Sequence, residues 1–270
     1  MSNAENSTEA GGKREAAEEA YANFMYRYAF GIIGDEPTIG SEGGGIGTGV
    51  GVCWEGCYLV LTAAHVARDT SKERLYFLLP SESLHLMGSR IRTEPNPAGI
   101  HRRFQLVDQR ASFSDDLDLV VFNLPFQEDK HGRDHFFHLD ESSSVSAGAI
   151  HAAFLGYPAA AKVQVGGNFM ATPSYCDGEI VELPFGRSAE SEIAISYPTS
   201  QTLNPHGFSG AGLWMPTPLL RGDFWAPHMS LIGIVTNWAR QSEKLIGYKI
   251  ETIIEFLKSI DPSFYAQSSS

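Results

Sequence analysis

Apolar positions in this chain gather into many short runs, among them Leu75 to Leu79, Phe104 to Val107, Leu119 to Leu124, Ile150 to Gly156, Gly178 to Leu183, Glu192 to Tyr197 and Ser230 to Thr236. Gly, Pro and charged residues punctuate them. Short runs rich in β-branched and aromatic residues, with no amphipathic helices alternating between them, predict an all-β barrel architecture. One segment near the start breaks the pattern. Glu15 to Phe30 is rich in Ala, Glu, Tyr and Met, and Tyr21, Phe24, Met25 and Tyr28 recur at three- and four-residue spacing. This predicts a helix with one apolar face, which docks on the molecule's own β-structure or on a regulatory partner. Residues 1 to 13 are Ser/Glu/Gly-rich and read as a disordered lead-in.

Composition narrows the picture. With 270 residues, 43% of them hydrophobic and 19% charged, the chain can bury a substantial core. Its formal charge of −12 argues against a surface that tracks nucleic-acid phosphates. No run approaches the roughly eighteen apolar residues of a membrane span, and Met1 to Glu19 is too polar for a signal-peptide core, so a cytoplasmic location is expected. The three cysteines, Cys53, Cys57 and Cys176, are an odd count and are expected to be reduced structural thiols. A Cys53–Cys57 pair facing across a hairpin is the alternative.

Two other clusters suggest ligands at first sight. Gly43-Gly44-Gly45-Ile46-Gly47-Thr48-Gly49 looks like a phosphate loop, but it runs into the strand-like Val50-Gly51-Val52 and lacks a following Gly-Lys-Ser/Thr. His131, His135 and His138 would share one side of a helix, yet no acidic or thiol ligands accompany them, so they read as a solvated linker. No metal and no cofactor are expected.

The candidate chemistry lies in two separated segments. Ser209 sits in Gly207-Phe208-Ser209-Gly210-Ala211-Gly212, and His65 closes the run Tyr58-Leu59-Val60-Leu61-Thr62-Ala63-Ala64-His65. A serine hydroxyl is a poor nucleophile until an imidazole takes its proton, and these segments supply those two groups. Between them, Asp115, Asp116 and Asp118 offer a carboxylate to orient the imidazole. Asp118 is favoured because it directly precedes the apolar run, whereas choosing Asp116 puts the Asp118 charge on a buried strand position. Asp116 is the runner-up.

Thr62-Ala63-Ala64-His65, the Asp-Leu-apolar segment and Gly-x-Ser-Gly, in the order His, Asp, Ser, resemble the chymotrypsin-like serine peptidases over about residues 44 to 258. Within that family the chain looks closest to bacterial HtrA-type and glutamyl-endopeptidase-like branches, through Gly47-Thr48-Gly49-Val50 and Leu203-Asn204-Pro205, with no PDZ domain. The resemblance implies two six-stranded Greek-key barrels with a helix at each end, Ile250 to Ile260 being the C-terminal one. It divides the chain into a lead-in and helix (1–30), first barrel (44–125), linker (126–146), second barrel with C-terminal helix (147–260) and tail (261–270). It also implies roles: His65 as base, Asp118 as its orienting acid, Ser209 as nucleophile, and the amides of Gly207 and Ser209 as an oxyanion hole.

Recognition of substrate would fall to Leu203, His206, Thr236, Asn237 and Trp238, the positions that line the pocket in the resembled family. Leu203 carries no charge to attract Arg or Lys. Trp238 stands where a glycine commonly keeps the pocket open, which suits a small apolar side chain, while His206 suits an acidic one. Ala211 and Phe208 depart from the family's usual glycine and small polar residue. The implied activity is intracellular cleavage of protein or peptide substrates, constitutive or gated by a partner, and the alternative is an inactive peptide-binding module.

Overall fold

A two-residue turn sets the register of the first sheet. Glu55 and Gly56 both have positive φ, 48° and 79°, the conformation of the tight hairpin turn whose twist matches that of the flanking strands. The structure, a computed structural model, describes residues 16–33, 46–68, 76–78, 84–87, 90–93, 103–105, 111–124, 134–140, 149–159, 162–165, 168–171, 173–198, 204–221 and 224–266. Around that turn β2 (Ile46–Trp54) pairs with β3 (Cys57–Ala63), preceded by β1 (Ala29–Ile33) on the far side of β2. The strands β4 (Tyr76–Leu78), β7 (Arg103–Gln105), β8 (Ala111–Phe113) and β9 (Leu119–Asn123) complete the order β7-β4-β1-β2-β3-β9-β8. A separate hairpin joins β5 (Leu84–Met87) to β6 (Arg90–Thr93).

The first strand begins earlier than the hydrophobic pattern suggests. Among the described residues helix α1 covers 16–26, and the chain becomes extended at Ala29 instead of staying helical to Phe30. Phe30 and Ile32 are wholly buried beside Val60, Phe77 and Val120, so sheet pairing and burial take these residues out of the helix. The sheet therefore draws on residues ahead of 44. It also takes β10 (Phe137–His138) from the expected linker, running parallel to β2. His135 and His138 lie on a turn and this short strand rather than on a helix, and His131 lies outside the described residues. The glycines at 47, 49 and 51 share the face of β2 pressed by other elements: an added Cβ would meet Val66 at 2.3 Å, Val60 at 2.6 Å and the His135 carbonyl at 2.4 Å. These three glycines thus form a packing surface, while Gly43 to Gly45 of the glycine-rich stretch lie outside the described residues.

The second half closes on itself. A six-stranded barrel runs β11 (His151–Gly156), β14 (Ser174–Val181), β15 (Glu192–Ser196), β18 (Lys244–Lys249), β17 (Phe224–Ala239) and β16 (Gly212–Arg221). The hairpin β12 (Lys162–Val165) and β13 (Asn168–Ala171) stands apart from it. The architecture is mostly β, one closed barrel and a second, eight-stranded sheet, with a helix at each end. The one-turn helix α2 (Ala64–Arg68) follows β3, and α3 (Ile250–Ser259) buries Ile250, Ile253, Ile254, Phe256 and Leu257 against β17 and β18. A last turn, α4 (Ser263–Ala266), returns to the first sheet, where the Asn123 amide donates to the Phe264 carbonyl at 2.8 Å.

Helix α1 spends its apolar face on its own chain. Tyr28 stacks on Trp214 of β16 at 5.6 Å, Phe24 meets the same indole edge-on at 5.8 Å, and Phe137 closes the cluster at 5.0 Å from it. The three cysteines are free. Cys57 pairs with Trp54 and Cys53 with Tyr58 in the ladder, so alternation puts the two thiols on opposite faces of the hairpin.

Candidate active site

Register alone brings His65 and Asp118 together. β3 and β9 pair antiparallel with Ala63 opposite Leu119, so the residue after β3 and the residue before β9 must adjoin, and the Ala64 amide donates to the Asp118 carbonyl at 3.1 Å. The Asp118 carboxylate then grips the next residue twice. Oδ1 accepts the His65 main-chain N–H at 2.9 Å and Oδ2 lies 2.6 Å from the ring Nδ1. An ionised carboxylate only accepts, so the proton resides on Nδ1 and Nε2 presents its lone pair. Burial opposes the charge on Asp118, but the hydrogen bonds from His65, the positive charge that His65 can carry and the nearby Arg68 outweigh it and hold the carboxyl below its ordinary 3.8. Asp115 and Asp116 are exposed. The Tyr248 hydroxyl, from β18 of the barrel, accepts a long 3.4 Å bond from the Asp118 N–H.

The loop carrying Ser209 is held peptide by peptide. The His206 carbonyl accepts from the Ala159 N–H at 2.7 Å, and the Phe208 carbonyl accepts from Ala211 at 2.9 Å. In a trans peptide the N–H points opposite to the C=O, so these bonds fix the directions of the Gly207 and Ser209 N–H groups. Neither N–H donates to a described residue. The two other peptides are tied at both ends. Phe208 N–H donates to Pro205 at 3.0 Å while the Gly207 carbonyl accepts from the Thr48 hydroxyl at 2.7 Å; Gly210 N–H donates to Val235 at 2.7 Å while the Ser209 carbonyl accepts from Thr48 N–H at 2.9 Å. Such a loop leaves two uncommitted donors on either side of Phe208, next to the serine.

Glycine is required at both ends of this turn. Gly207 and Gly210 have φ of 99° and 90°. A Cβ at Gly210 would lie 1.8 Å from the Thr48 carbonyl oxygen and 2.1 Å from Thr62 Oγ1. The serine loop therefore rests directly on β2 and β3, and Thr62 precedes His65 by three residues. Phe208 is wholly buried, edge-on to Phe154 at 5.1 Å, so an apolar anchor fills the position where the resembled family has a small polar residue. Ala211 is buried without clash in the same cluster.

Of the residues expected to recognise substrate, Leu203 lies outside the described residues. His206 is exposed and its ring meets the half-buried Trp238 edge-on at 6.3 Å, while the Arg240 guanidinium lies 5.8 Å from the same indole. Thr236 is buried at a bulge in β17, where the register shifts between Val235 and Asn237, and Asn237 is exposed. The sequence reading passed over the role of Thr48. Its only signal there is a hydroxyl residue between two glycines at the start of the sheet. Among the described residues no cluster of His, Cys, Asp or Glu suited to a metal ion occurs.

No family model matches this chain, and no curated protein matches it in sequence. Among solved structures it is similar to human heparin binding protein, with a TM-score of 0.54 at 10% identity over 87% of this chain and 91% of that one. At that identity the likeness speaks for fold. The chain has the trypsin-like fold, and no described helix is long and apolar enough to cross a membrane.

Proposed function

We propose that this chain is a serine endopeptidase. The observation that supports the reading is the two-point grip of Asp118 on His65, in a chain whose Ser209 loop is bonded to β2 at Thr48 and keeps its Gly207 and Ser209 N–H groups uncommitted. In this reading Nε2 of His65 removes the Ser209 proton as Oγ attacks the carbonyl carbon of the substrate. The tetrahedral oxyanion is met by the two amides, and His65 then returns the proton to the leaving amine. Water, activated by the same imidazole, hydrolyses the acyl-enzyme. Asp118 keeps the ring in the tautomer this cycle needs.

His206 and Trp238 border the pocket for the residue before the scissile bond. The indole, flanked by His206 and Arg240, favours a shallow pocket, and the two basic groups favour an acidic side chain over a basic one. The three free thiols support a reducing, intracellular setting, and the motifs shared with HtrA-type domains support a bacterial one.

Labelling with a fluorophosphonate probe tests the proposal. Wild type is expected to label at Ser209, and Ser209→Ala and His65→Ala to abolish labelling. Asp118→Asn is expected to slow it by about 10⁴-fold, while Asp116→Asn leaves it unchanged. An unlabelled wild type would instead favour a peptide-binding module on the same fold.

A further inference from the structure

Thr48 holds more of the candidate site than any residue expected to act in it. It is wholly buried. Its N–H donates to the Ser209 carbonyl at 2.9 Å and its hydroxyl donates to the Gly207 carbonyl at 2.7 Å. The same hydroxyl oxygen accepts the Tyr157 N–H at 2.9 Å, and the Thr48 carbonyl accepts the Thr62 hydroxyl at 2.6 Å. One residue of the eight-stranded sheet thus fastens the serine loop, the Tyr157 end of β11 and the strand that leads to His65.

We propose that Thr48 is a positioning residue for the Ser209 loop, its hydroxyl holding the Gly207–Phe208 peptide that joins the two peptides carrying the Gly207 and Ser209 N–H groups, which Ala159 and Ala211 fix from outside. The proposal rests on the peptidase reading and deepens it. The physical argument is one of count and burial. Gly207 has φ of 99°, a backbone without a Cβ to limit it, so its ψ depends on what its carbonyl meets. Removing the hydroxyl leaves the Gly207 carbonyl and the Tyr157 N–H without this partner in a dry site, and the loop can recover them only by turning. A turn of the Gly207–Phe208 peptide changes ψ of Gly207 and φ of Phe208 and so pulls on the two flanking peptides that carry the proposed oxyanion donors, and displacement of a donor on the order of 1 Å costs about a hundredfold in rate. The main-chain bond to Ser209 does not need the side chain, so the nucleophile's own peptide stays tied. The expected lesion therefore falls on reactivity, with substrate affinity less affected.

The test compares Thr48→Val, which keeps shape and loses the hydroxyl, with Thr48→Ser, which keeps the hydroxyl. Two readouts are taken on the full chain: the rate of fluorophosphonate labelling, and amide hydrogen exchange at Phe208 and Gly210, the hydrogen-bonded amides of the loop. Thr48→Val is expected to label about 10- to 100-fold more slowly and to exchange faster at these amides, and Thr48→Ser to restore both. Should Thr48→Val fold poorly by thermal melting, Thr48→Ala takes its place. Labelling of Thr48→Val at the wild-type rate would overturn the positioning role while leaving the peptidase reading intact. If wild type does not label, the peptidase reading falls, and the exchange data alone decide the role of Thr48. Faster exchange rescued by serine supports it, and unchanged exchange overturns it.

Discussion

Asp118 shows how one side chain is stabilised by the residue it serves. Its carboxylate is about one-third exposed, yet it accepts two bonds from the same histidine. A carboxyl held below its ordinary 3.8 binds its proton more weakly when folded than when unfolded, so its contribution is complete above the unfolded value and fades as pH falls through the lower folded one. The difference in melting temperature between wild type and Asp118→Asn is accordingly expected to shrink steadily as pH falls below about 4. A difference that grows below about pH 4 would mean that the grip on His65 is not what depresses this group. Gly210 makes the complementary point. Its importance lies in an absent atom, because the space a Cβ needs is taken by Thr48 and Thr62.

At the scale of elements, aromatic packing decides where the helices go. Trp214 projects from β16 into Phe24, Tyr28 and Phe137, which belong to α1, the turn after it, and β10. Each such ring pair adds about 0.5–1.5 kcal/mol beyond the area it buries. Trp214 is 2% exposed, and Trp214→Ala is expected to cost about 3–5 kcal/mol, measurable by urea denaturation. Loss near zero would show that α1 adds little to the stability of the barrel. The antiparallel register of β3 and β9 has a different consequence, since a slip of one residue would carry Asp118 away from His65 and exchange the two faces of β9, both of which are buried.

At the scale of the whole molecule, the two halves are tied at both ends of the chain. α1 and β1 pass from the barrel's Trp214 into the first sheet, and after α3 has packed on the barrel, α4 crosses back to Asn123 and Cys57. The Cys57 thiol is buried beneath the Tyr265 carbonyl, to which it donates at 3.4 Å. A chain shortened to end at Ile260 is expected to expose this thiol, raising its rate of reaction with an aromatic disulfide reagent severalfold over the full chain. A Cys57→Ser control identifies the thiol. An unchanged rate would show that α4 is not what shields it.

Much of the candidate site was legible before folding. His65 after Thr-Ala-Ala, Asp118 at the head of an uninterrupted apolar run and Ser209 between Gly207 and Gly210 each carry a local reason for their residue type. The all-β class was equally plain from short apolar runs and turn residues. By itself the sequence determined composition, charge, local propensity and the small set of residues able to do this chemistry, because those depend on neighbours along the chain. The tertiary structure decided what distance along the chain conceals. It ended α1 at 26 and made Ala29–Ile33 a strand because β2 and the core were there to receive it. It drew Phe137–His138 from the linker into the sheet, and it chose Asp118 over Asp116 as the neighbour of His65 through register. It made Thr48 the fastening of the serine loop, since a hydroxyl between two glycines has no visible partner until residues 157 and 207 fold onto it.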